Sequence, residues 1–409
     1  MDSGLTRAQL VHWRTAIFTI FMATGFEFGS WASRMPAVKH DLEVDDFGLG
    51  ALLFVIGASS LFGLSAANLL VARWGVRRSL ALTITTLCTG IVLAGASIHF
   101  VHSYALAAIS LAILGFGMSA TDVLMNVEAA AVEQSFGKTL MPLFHAFFSL
   151  GTVAGAGIGV LMAAWGIGVG WHLGVIGLLL LAIGCLALTA VPVRDAVHDD
   201  ATRPSRRERF AEIVAVWRDP RTHALGVIML GMAFAEGSAN DWLAVAVVDG
   251  RGQAEALGAV ALAVFSTAMT AVRLFGGPLV DRVGRVWSLR MLAVLAAVGL
   301  SLFILAPTLP VAFAGIALWG AGTALGFPIG MSAAADDPSK AAASVSAAAT
   351  IGYLAFLCGP PVLGWISHQI GILPTLWIIV GLIAMSGIAS GAARPIAGSP
   401  VGAGHARAH

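Results

Sequence analysis

Polar side chains interrupt an otherwise apolar stretch of the chain at residues 115–151. They are Asp122, Asn126, Glu128 and Glu133. A carboxylate at the bilayer centre costs about 2.5–3.5 kcal/mol on insertion scales, so such residues face a bundle interior or a water-filled cavity. On a helix Asp122, Asn126 and Glu133 share one face, whereas Glu128 points elsewhere. The stretch therefore predicts a polar stripe that binds protons or a polar solute.

The composition predicts the helices that must position this stripe. The chain has 409 residues, 58% hydrophobic and 11% charged, with a mean hydropathy of +0.88. Soluble domains carry about 25% charged residues, so we predict an all-α membrane protein. Apolar runs long enough to span a bilayer predict twelve transmembrane helices. The predicted spans are 12–32, 47–72, 78–99, 103–132, 140–165, 170–191, 222–248, 255–280, 286–306, 310–334, 341–367 and 372–392.

The basic residues predict the orientation. Arg34, Lys39 and Arg251 fall in one set of loops, while almost all other Lys and Arg fall in the opposite set. The positive-inside rule then places both termini in the cytoplasm and the first three cations outside, in a bacterial inner membrane. We expect the first apolar run to stay as a span, since it is too long for a signal peptide and no small-residue cleavage site follows it.

One long polar segment, residues 193–220, separates six predicted spans from six. The predicted domains are an N-terminal six-helix bundle over 1–192, a cytoplasmic linker over 193–220 and a C-terminal six-helix bundle over 221–409. Within the linker, Ser205–Trp217 is compatible with an amphipathic helix on the inner face. The alternative is a charged linker that enforces topology.

The two halves also look like repeats. A shift of 209 residues places Glu27 on Glu236 and His12 on Arg221. The same shift places 72–75 on 281–284, in the loop after the second span of each half. Repeat-related acids near mid-depth are typical of sites between transporter halves. We therefore predict that Glu27 and Glu236 join Asp122 in proton coupling, the alternative being carboxyls held by Ser, Asn or Arg for packing.

The loop after span 8, G-P-L-V-D-R-V-G-R over 277–285, resembles the G-x-L-x-D-R-x-G-R signature of the major facilitator superfamily. The resemblance implies two six-helix bundles around a central cavity and alternating access. It also implies a cytoplasmic latch, in which an acid accepts hydrogen bonds from a helix N-terminus or an Arg. Ala72 replaces the acid in the first half. The predicted latch residues are Asp281, Arg282, Arg285, Arg73 and Arg77.

Asp122-Val-Leu-Met-Asn126 resembles the span-4 pattern of proton-coupled sugar symporters of the fucose permease type, which implies proton and sugar binding at Asp122. The span-1 acid of that group is replaced by Ala32 and its span-5 Asn by Phe148. Exporters of the superfamily carry a Gly-Pro pair within a glycine-rich span 5. Span 5 here has the glycines but no proline among them, so it resembles that motif only in part. We predict that the span-5 glycines instead allow close helix approach. They are Gly151, Gly155, Gly157 and Gly159.

The residue types expected to contact a polar solute are amides, a carboxylate, a histidine and aromatic rings. They are Asn126, His145, Trp31, Asn240, Asp241 and Trp242. The alternatives are an interfacial aromatic belt for the tryptophans and a satisfied core residue for His145, although a histidine can also relay protons. Glu133 is predicted to lie at a helix end or in a latch, and Glu128 to pair nearby.

Arg273 lies inside a span and needs a counter-charge. The candidates are Glu236, Asp241, Asp281 and Asp336–Asp337. Cys88, Cys185 and Cys358 lie in apolar runs and are predicted to be small core residues.

These patterns contain no metal-spaced cluster, P-loop or nucleophile elbow, so we expect neither an enzyme nor a cofactor. The predicted partners are a small-molecule solute, protons and the lipid bilayer, with no nucleic acid, and the protein is expected to be monomeric. The predicted function is proton-driven symport of a sugar-like solute. The alternative is proton-driven export of drugs or metabolites.

Overall fold

The computed structural model describes residues 6–136, 140–193, 216–337 and 341–396. The chain forms two compact units. The first unit comprises residues 1–199 and 241–263, and the second comprises 200–240 and 264–409. Most of the predicted linker, 193–220, lies outside the described residues, so the predicted domain boundaries stay a prediction.

The described residues are helical nearly throughout and contain no strand. The α-helices of the first half are α1 Arg7–Ala32, α2 Met35–Asp41, α3 Asp46–His99, α4 Tyr104–Phe136, α5 Met141–Ala164 and α6 Val169–Thr189. Those of the second half are α7 Pro220–Val248, α8 Glu255–Phe275, α9 Gly277–Val283, α10 Arg285–Leu305, α11 Leu309–Thr323, α12 Gly326–Ala334, α13 Ala341–Ile370, α14 Ile372–Thr375 and α15 Trp377–Ala389. A 3-10 turn, Ser390–Ala393, follows.

Ten helical segments of the described chain are long and apolar enough to cross a membrane. The predicted spans 12–32 and 222–248 coincide with α1 and α7, which are 26 and 29 residues long but are not among these ten. These two helices carry the acids that the repeat aligns, which lowers their mean apolarity. A count of twelve spans stays a prediction.

Several predicted spans are broken at glycines or short turns. Spans 2 and 3 form the single helix α3, interrupted at Gly75. Span 8 ends at Phe275 and continues as the short helix α9. Span 10 is divided into α11 and α12 around Ala324 and Leu325. The sequence pattern predicted the interruption at Gly75, between 47–72 and 78–99, but not the breaks in spans 8 and 10.

Large apolar side chains cover much of the outer surface. Those at least 72% exposed include Phe62, Leu69, Leu186, Phe275 and Ile388. Soluble monomers rarely carry so much exposed apolar surface, which here suits contact with lipid tails. Cys88 is buried as predicted, but Cys185 and Cys358 are exposed, so the prediction of core positions is wrong for those two.

Each unit has its own apolar core. In the first unit, buried side chains of α1, α3, α4, α5 and α6 pack together around Trp13 and Phe144. In the second, a core joins α7, α10, α12 and α13 around Met229 and Leu289. The helical segments that carry Glu27, Asp122 and Glu236 are therefore held within their units by packing.

Glycines allow α1 and α5 to approach closely. A Cβ at Gly155 would lie 2.1 Å from the Phe26 carbonyl oxygen, and one at Gly29 would lie 2.1 Å from that of Thr152. Such contacts let two backbones touch, as is typical of helix pairs in membranes. The prediction for span 5 is confirmed at Gly155 and Gly151, which lie against backbone atoms of α1, while a Cβ at Gly159 would meet the Ser33 side chain. It is wrong for Gly157, where a Cβ would meet nothing within 4 Å.

The backbone supports the predicted repeat. Gly75 and Gly284, which the shift of 209 superimposes, have φ of 74° and 80° and ψ of 166° and 161°. Glu43 and Gly252 are related by the same shift, with φ of 52° and 64°. Two non-glycine and five glycine residues of the described chain have positive φ, so two coincidences at one shift indicate the same chain path in both halves.

One side-chain contact occurs in both halves. It joins the start of the first span to a residue in, or just after, the fourth span. Trp13 Nε1 donates to Glu128 Oε2 at 2.7 Å, and Arg221 Nη2 donates to Asp336 Oδ2 at 2.9 Å. Both pairs are separated by 115 residues. The contact therefore aligns Arg221 with Trp13, one residue from the predicted partner His12.

Candidate functional site

Glu27 lies in the interior of the first unit. Its residue is 1% exposed, and its Oε2 has no hydrogen-bond partner in the described part of the chain. One turn earlier on the same face of α1, Ala23 and Thr24 line a small apolar pocket with side chains of α3 and α6, among them Cys88. A buried carboxyl in such surroundings is much less costly as the neutral acid than as the anion.

Glu236, the repeat counterpart of Glu27, has a different environment. Arg273 Nη2 of α8 donates to both of its carboxylate oxygens, at 2.9 and 2.8 Å. Arg273 Nε also donates to the Ala324 carbonyl at 3.1 Å, at the break between α11 and α12. Glu236 is thus the counter-charge of Arg273, one of the predicted candidates, and holds an ion pair within the second unit.

No equivalent of this ion pair occurs among the described residues of the first half. The shift of 209 places Arg273 on Leu64, which is apolar and exposed. The repeat therefore preserves the acid but not its basic partner. Sequence alignment of the halves alone could have shown this asymmetry.

Asp122 and Asn126 are joined on α4 as the predicted stripe requires. Asn126 Nδ2 donates to the Asp122 carbonyl at 2.8 Å and approaches Asp122 Oδ1 at 3.4 Å. Asp122 is exposed at the middle of a 33-residue helix and has no ion-pair partner among the described residues. Because a lone carboxyl at this depth avoids lipid, the geometry favours contact with water or solute.

The other two acids of α4, Glu128 and Glu133, accept hydrogen bonds from neighbouring helices. Glu128 is fully buried and accepts the Trp13 hydrogen bond, as its predicted nearby pairing implies. Glu133 Oε2 accepts from the backbone N–H groups of Leu140 and Met141, at 2.6 and 2.7 Å. Glu133 thereby caps the N-terminus of α5, where an acid also suits the helix dipole. The polar stripe predicted on α4 therefore consists of Asp122 and Asn126, without Glu133.

The predicted solute-contact residues differ in burial. Trp31 and Trp242 are 5% and 0% exposed, which does not suit an interfacial aromatic belt. Trp242 Nε1 has no hydrogen-bond partner among the described residues. Asn240 is buried, Asp241 is half-buried, and His145 is exposed with its ring edge-on to Phe21 at 5.4 Å.

The signature loop contains both a free acid and a buried base. Asp281 is exposed and makes no hydrogen bond or ion pair with another described residue. Arg285 is buried, where Nη1 donates to Asp336 Oδ1 at 2.7 Å and Nη2 donates to Ser332 at 2.8 Å. Arg285 therefore has a structural ion pair inside the second unit in addition to its predicted latch role.

The remaining predicted latch residues lie at the surface. Arg282 and Arg73 are exposed, and the Arg73 guanidinium lies 5.9 Å from the ring centroid of Trp74. Arg77 is half-buried. These surface positions do not test the predicted cytoplasmic latch, which stays a hypothesis.

A cluster of charges on the predicted outer side was not assigned a role from the sequence. Lys39 of α2 forms ion pairs with both Asp46 and Asp249. Arg34 lies 3.2 Å from Glu255 through Nε and donates from Nη2 to the Ile167 carbonyl at 2.8 Å. The sequence showed the two outer cations, but only the fold brings Asp249 and Glu255 to them.

Burial and ion pairing change the pKa values of Lys39 and Arg34 in opposite directions. Burial lowers the pKa of Lys39, but hydrogen bonds to Asp249 and Asp46 outweigh this effect, so the pKa is raised. Burial lowers the pKa of Arg34, and the charges of Glu255 and Asp41 offset part of that change. Lys39 thus stays charged at neutral pH, and its ion pairs persist.

The profile of the Major Facilitator Superfamily matches residues 16–360 and 252–403. The chain belongs to the major facilitator superfamily. It is similar to an uncharacterized MFS-type transporter of Yersinia pestis, with 30% identity over 89% of this chain and 90% of the relative. It is also similar to the membrane protein MosC of Rhizobium meliloti, with 26% identity over 90% and 87% of the two chains.

Solved structures of the superfamily share the fold. A point mutant of the nucleoside transporter NupG superimposes with a TM-score of 0.79 at 14% identity, covering 93% of this chain and 100% of NupG. The transporter FucP in its outward conformation superimposes with a TM-score of 0.65 at 15% identity, covering 95% and 100%. The resemblance seen in the signature loop and the predicted all-α membrane fold are confirmed. The chain is a multi-span membrane transporter of this superfamily.

Proposed function

We propose that this transporter is a proton-coupled symporter of a small, hydroxyl-rich solute that works by alternating access. The observation that carries the proposal is the difference between Glu27 and Glu236. Glu236 is neutralised by Arg273, whereas Glu27 is buried with an unpaired carboxylate oxygen. A proton neutralises Glu27 at little cost, and losing that proton leaves a buried charge. An acid with this property suits coupling to a proton gradient.

Asp122 supplies the second part of the mechanism. Its carboxyl is exposed, and Asn126 on the next turn donates to its backbone. In the proposed cycle a proton taken from outside neutralises an acid of the solute path, and solute hydroxyls engage Asp122 and Asn126. Closing the path around neutral groups avoids the cost of enclosing a charge. Release to the cytoplasm of solute and proton completes the cycle.

The class of solute is inferred from chemistry and from two structural neighbours. One neighbour is described as a fucose:proton symporter and another as a nucleoside transporter. Both solutes carry sugar hydroxyls, which amides and carboxylates bind through hydrogen bonds. We extend this class to the present chain, with Asn126, Asn240 and Asp241 as polar contacts and Trp31 and Trp242 as apolar plates. We place the protein as a monomer in a bacterial inner membrane.

The proposal is tested with purified protein in vesicles that contain a pH-sensitive dye. Panels of hexoses, pentoses, polyols and nucleosides are added to the bath, and lumenal pH is recorded. Symport predicts that an accepted solute acidifies the lumen of right-side-out vesicles. Acidification that stops with Asp122→Asn, while solute exchange continues, supports coupling at this carboxyl.

Two results would contradict the proposal. If a cationic or apolar compound makes the lumen lose protons, the protein is a proton-driven exporter. If Asp122→Asn and Glu27→Gln each retain full accumulation with unchanged pH dependence, neither acid carries the proton, and the proposed coupling is wrong.

A further inference from the structure

Arg290 is a cation on the apolar outer surface of the second unit. It lies exposed on α10, and its guanidinium carbon is 5.3 Å from the ring centroid of Trp287, about one turn earlier. Trp287 is itself 61% exposed. Arg290 makes no ion pair with a described residue. Because a charge beside lipid is costly when it stands alone, this position calls for an anion from outside the chain.

One hydrogen bond fixes the direction of the Arg290 side chain. Its Nε donates to the Ser390 hydroxyl oxygen at 3.1 Å, and Ser390 is fully buried at the start of the 3-10 turn that follows α15. The four N–H groups of Nη1 and Nη2 have no acceptor among the described residues. The guanidinium is thus held from one side, while the N–H groups that bind phosphate oxygens in pairs remain available.

An apolar surface continues from Arg290 along two neighbouring helices. On α10, exposed apolar side chains recur every three or four residues and share one face. They are Trp287, Met291, Val294 and Val298. On α15, Met385 and Ile388 are exposed close to Ser390. The two helices lie close together, since a Cβ at Gly387 would be 3.1 Å from that of Ala293. Such a surface suits acyl chains whose polar head lies at the level of Arg290.

We propose that Arg290 and Trp287 bind the head group of an anionic phospholipid, whose acyl chains lie along the exposed faces of α10 and α15. The lipid phosphate accepts hydrogen bonds from Nη1 and Nη2, which match its oxygens in geometry and charge. The Trp287 ring lies at the boundary between head groups and tails, where tryptophan is enriched in membrane proteins. The proposal is independent of the solute, the proton and the transport cycle.

The charges around Arg290 favour a head group with a net negative charge. Arg285, which precedes Arg290 on α10, shares the single carboxylate of Asp336 with Arg221. Two arginines and one acid leave one positive charge there. The exposed Arg394 follows the 3-10 turn and adds another. A zwitterionic head group would bring its own cation into this field, whereas phosphatidylglycerol brings none, and basic pockets between spans bind such lipids.

The first half lacks these residues at the equivalent positions and supplies a matched control. The shift of 209 places Arg290 on Ala81 and Ser390 on Leu181, which are apolar. Arg78 of α3 is exposed like Arg290, but the residue three positions earlier is Gly75, which interrupts the helix, instead of a tryptophan. Replacing Arg78 by Gln therefore removes the same charge without removing the proposed site.

The test is native mass spectrometry of the full-length protein in detergent with an equimolar mixture of dioleoylphosphatidylglycerol and dioleoylphosphatidylcholine. The ratio of the two lipids that stay bound is measured for the wild type and for four variants. They are Arg290→Gln, Arg290→Lys, Ser390→Ala and Arg78→Gln. The midpoint of thermal unfolding is recorded for each protein with and without phosphatidylglycerol.

We expect the wild type to retain phosphatidylglycerol over phosphatidylcholine by about fivefold, the contribution of one basic residue near an anionic membrane surface. Arg290→Gln should remove this preference. Arg290→Lys and Ser390→Ala should reduce it, because the first keeps the charge without the paired N–H groups and the second loses their orientation. Arg78→Gln should leave the preference unchanged.

Three results would overturn the lipid site. No preference in the wild type, or equal losses in Arg78→Gln and Arg290→Gln, would mean that no site at Arg290 selects the lipid. Displacement of the bound lipid by inorganic phosphate would assign the guanidinium to a soluble anion. If Arg290→Gln does not fold, Arg290→Lys decides, because an equal rise of its unfolding midpoint and that of the wild type on adding phosphatidylglycerol would also reject the site.

Discussion

At the scale of single residues, the two halves use one acid in two ways. Glu27 and Glu236 occupy equivalent repeat positions, yet only Glu236 has an arginine partner. Arg273 Nη2 donates to both oxygens of Glu236, and charge-assisted hydrogen bonds of this kind orient a carboxylate. An isolated buried carboxyl instead changes its proton occupancy when its surroundings change. The same repeat position thus holds an acid in an ion pair in the second half and an acid with an unpartnered oxygen in the first.

The two acids should respond differently to the same substitution. Glu236→Gln leaves Arg273 half-buried without its counter-charge and is expected to cost about 1–3 kcal/mol of folding stability. Glu27→Gln removes no ion pair and exchanges one buried polar group for another of similar size, so it should cost less than Glu236→Gln. The midpoints of thermal unfolding, measured side by side in one detergent, check this. A larger loss for Glu27→Gln would mean that its carboxyl has a structural partner in the folded protein.

At the scale of helices, the contact of α1 with α5 depends on glycines at particular positions. Gly155→Ala places a Cβ 2.1 Å from the Phe26 carbonyl oxygen, so the helices must separate. Overpacking of this kind costs about 1–3 kcal/mol. Gly157→Ala, two residues along the same helix, meets nothing within 4 Å.

We therefore expect Gly155→Ala to lower the unfolding midpoint by several degrees and Gly157→Ala to leave it unchanged or slightly raised. The second variant controls for the change in helix propensity, which favours Ala at both positions. Similar midpoints for the two variants would show that α1 and α5 can part without loss.

Much of this helical architecture could be predicted from the sequence, because hydropathy reports burial in lipid directly. The runs around α4, α5 and α6 were long and apolar, and the structure has helices there. The shift of 209 predicted the equivalence of Gly75 and Gly284, since both halves keep glycine where φ is positive. The break between α11 and α12 was not predicted, although Gly326 and Pro328 stand there and a proline removes the N–H that would bond to the Ala324 carbonyl.

The partners of the site residues were harder to predict than their positions. Acids at Glu27, Asp122 and Glu236 were evident because charge is rare in apolar runs. Which of several acids would meet Arg273 depends on how α7 lies against α8, which the sequence leaves open. The capping of α5 by Glu133 and the tie of Lys39 to Asp249 are likewise products of chain folding over many residues.

At the scale of the whole molecule, one buried acid connects two helices of the second unit through ion pairs. Asp336 has a side chain that is 2% exposed and accepts from both Arg221 and Arg285, which come from α7 and α10. Asp336→Asn leaves two arginines short of charge and should destabilise the protein by about 3–5 kcal/mol. Unfolding in denaturant, with Asp281→Asn as the control acid from the same region, measures this. Equal stability of the two variants would contradict the structural role of Asp336.

Variants of Asp336 and Asp281 also allow folding stability to be measured separately from the balance between inward- and outward-facing states. Asp281 has no ion-pair partner among the described residues, so its loss should not affect folding, whereas the predicted latch would engage it in the outward-facing state. An exposed ion pair contributes about 0–1 kcal/mol, and each 1.4 kcal/mol or so moves a two-state equilibrium tenfold. Asp281→Asn should then move the population towards the inward-facing state by up to about fivefold, and Ala72→Asp should move it the other way by adding the acid that the first half lacks. Cysteine labelling from each side of the membrane reports both shifts. If labelling stays the same while solute binding is lost, Asp281 belongs to the solute site, and a latch at this loop would have to depend on Arg282 or Arg285 instead.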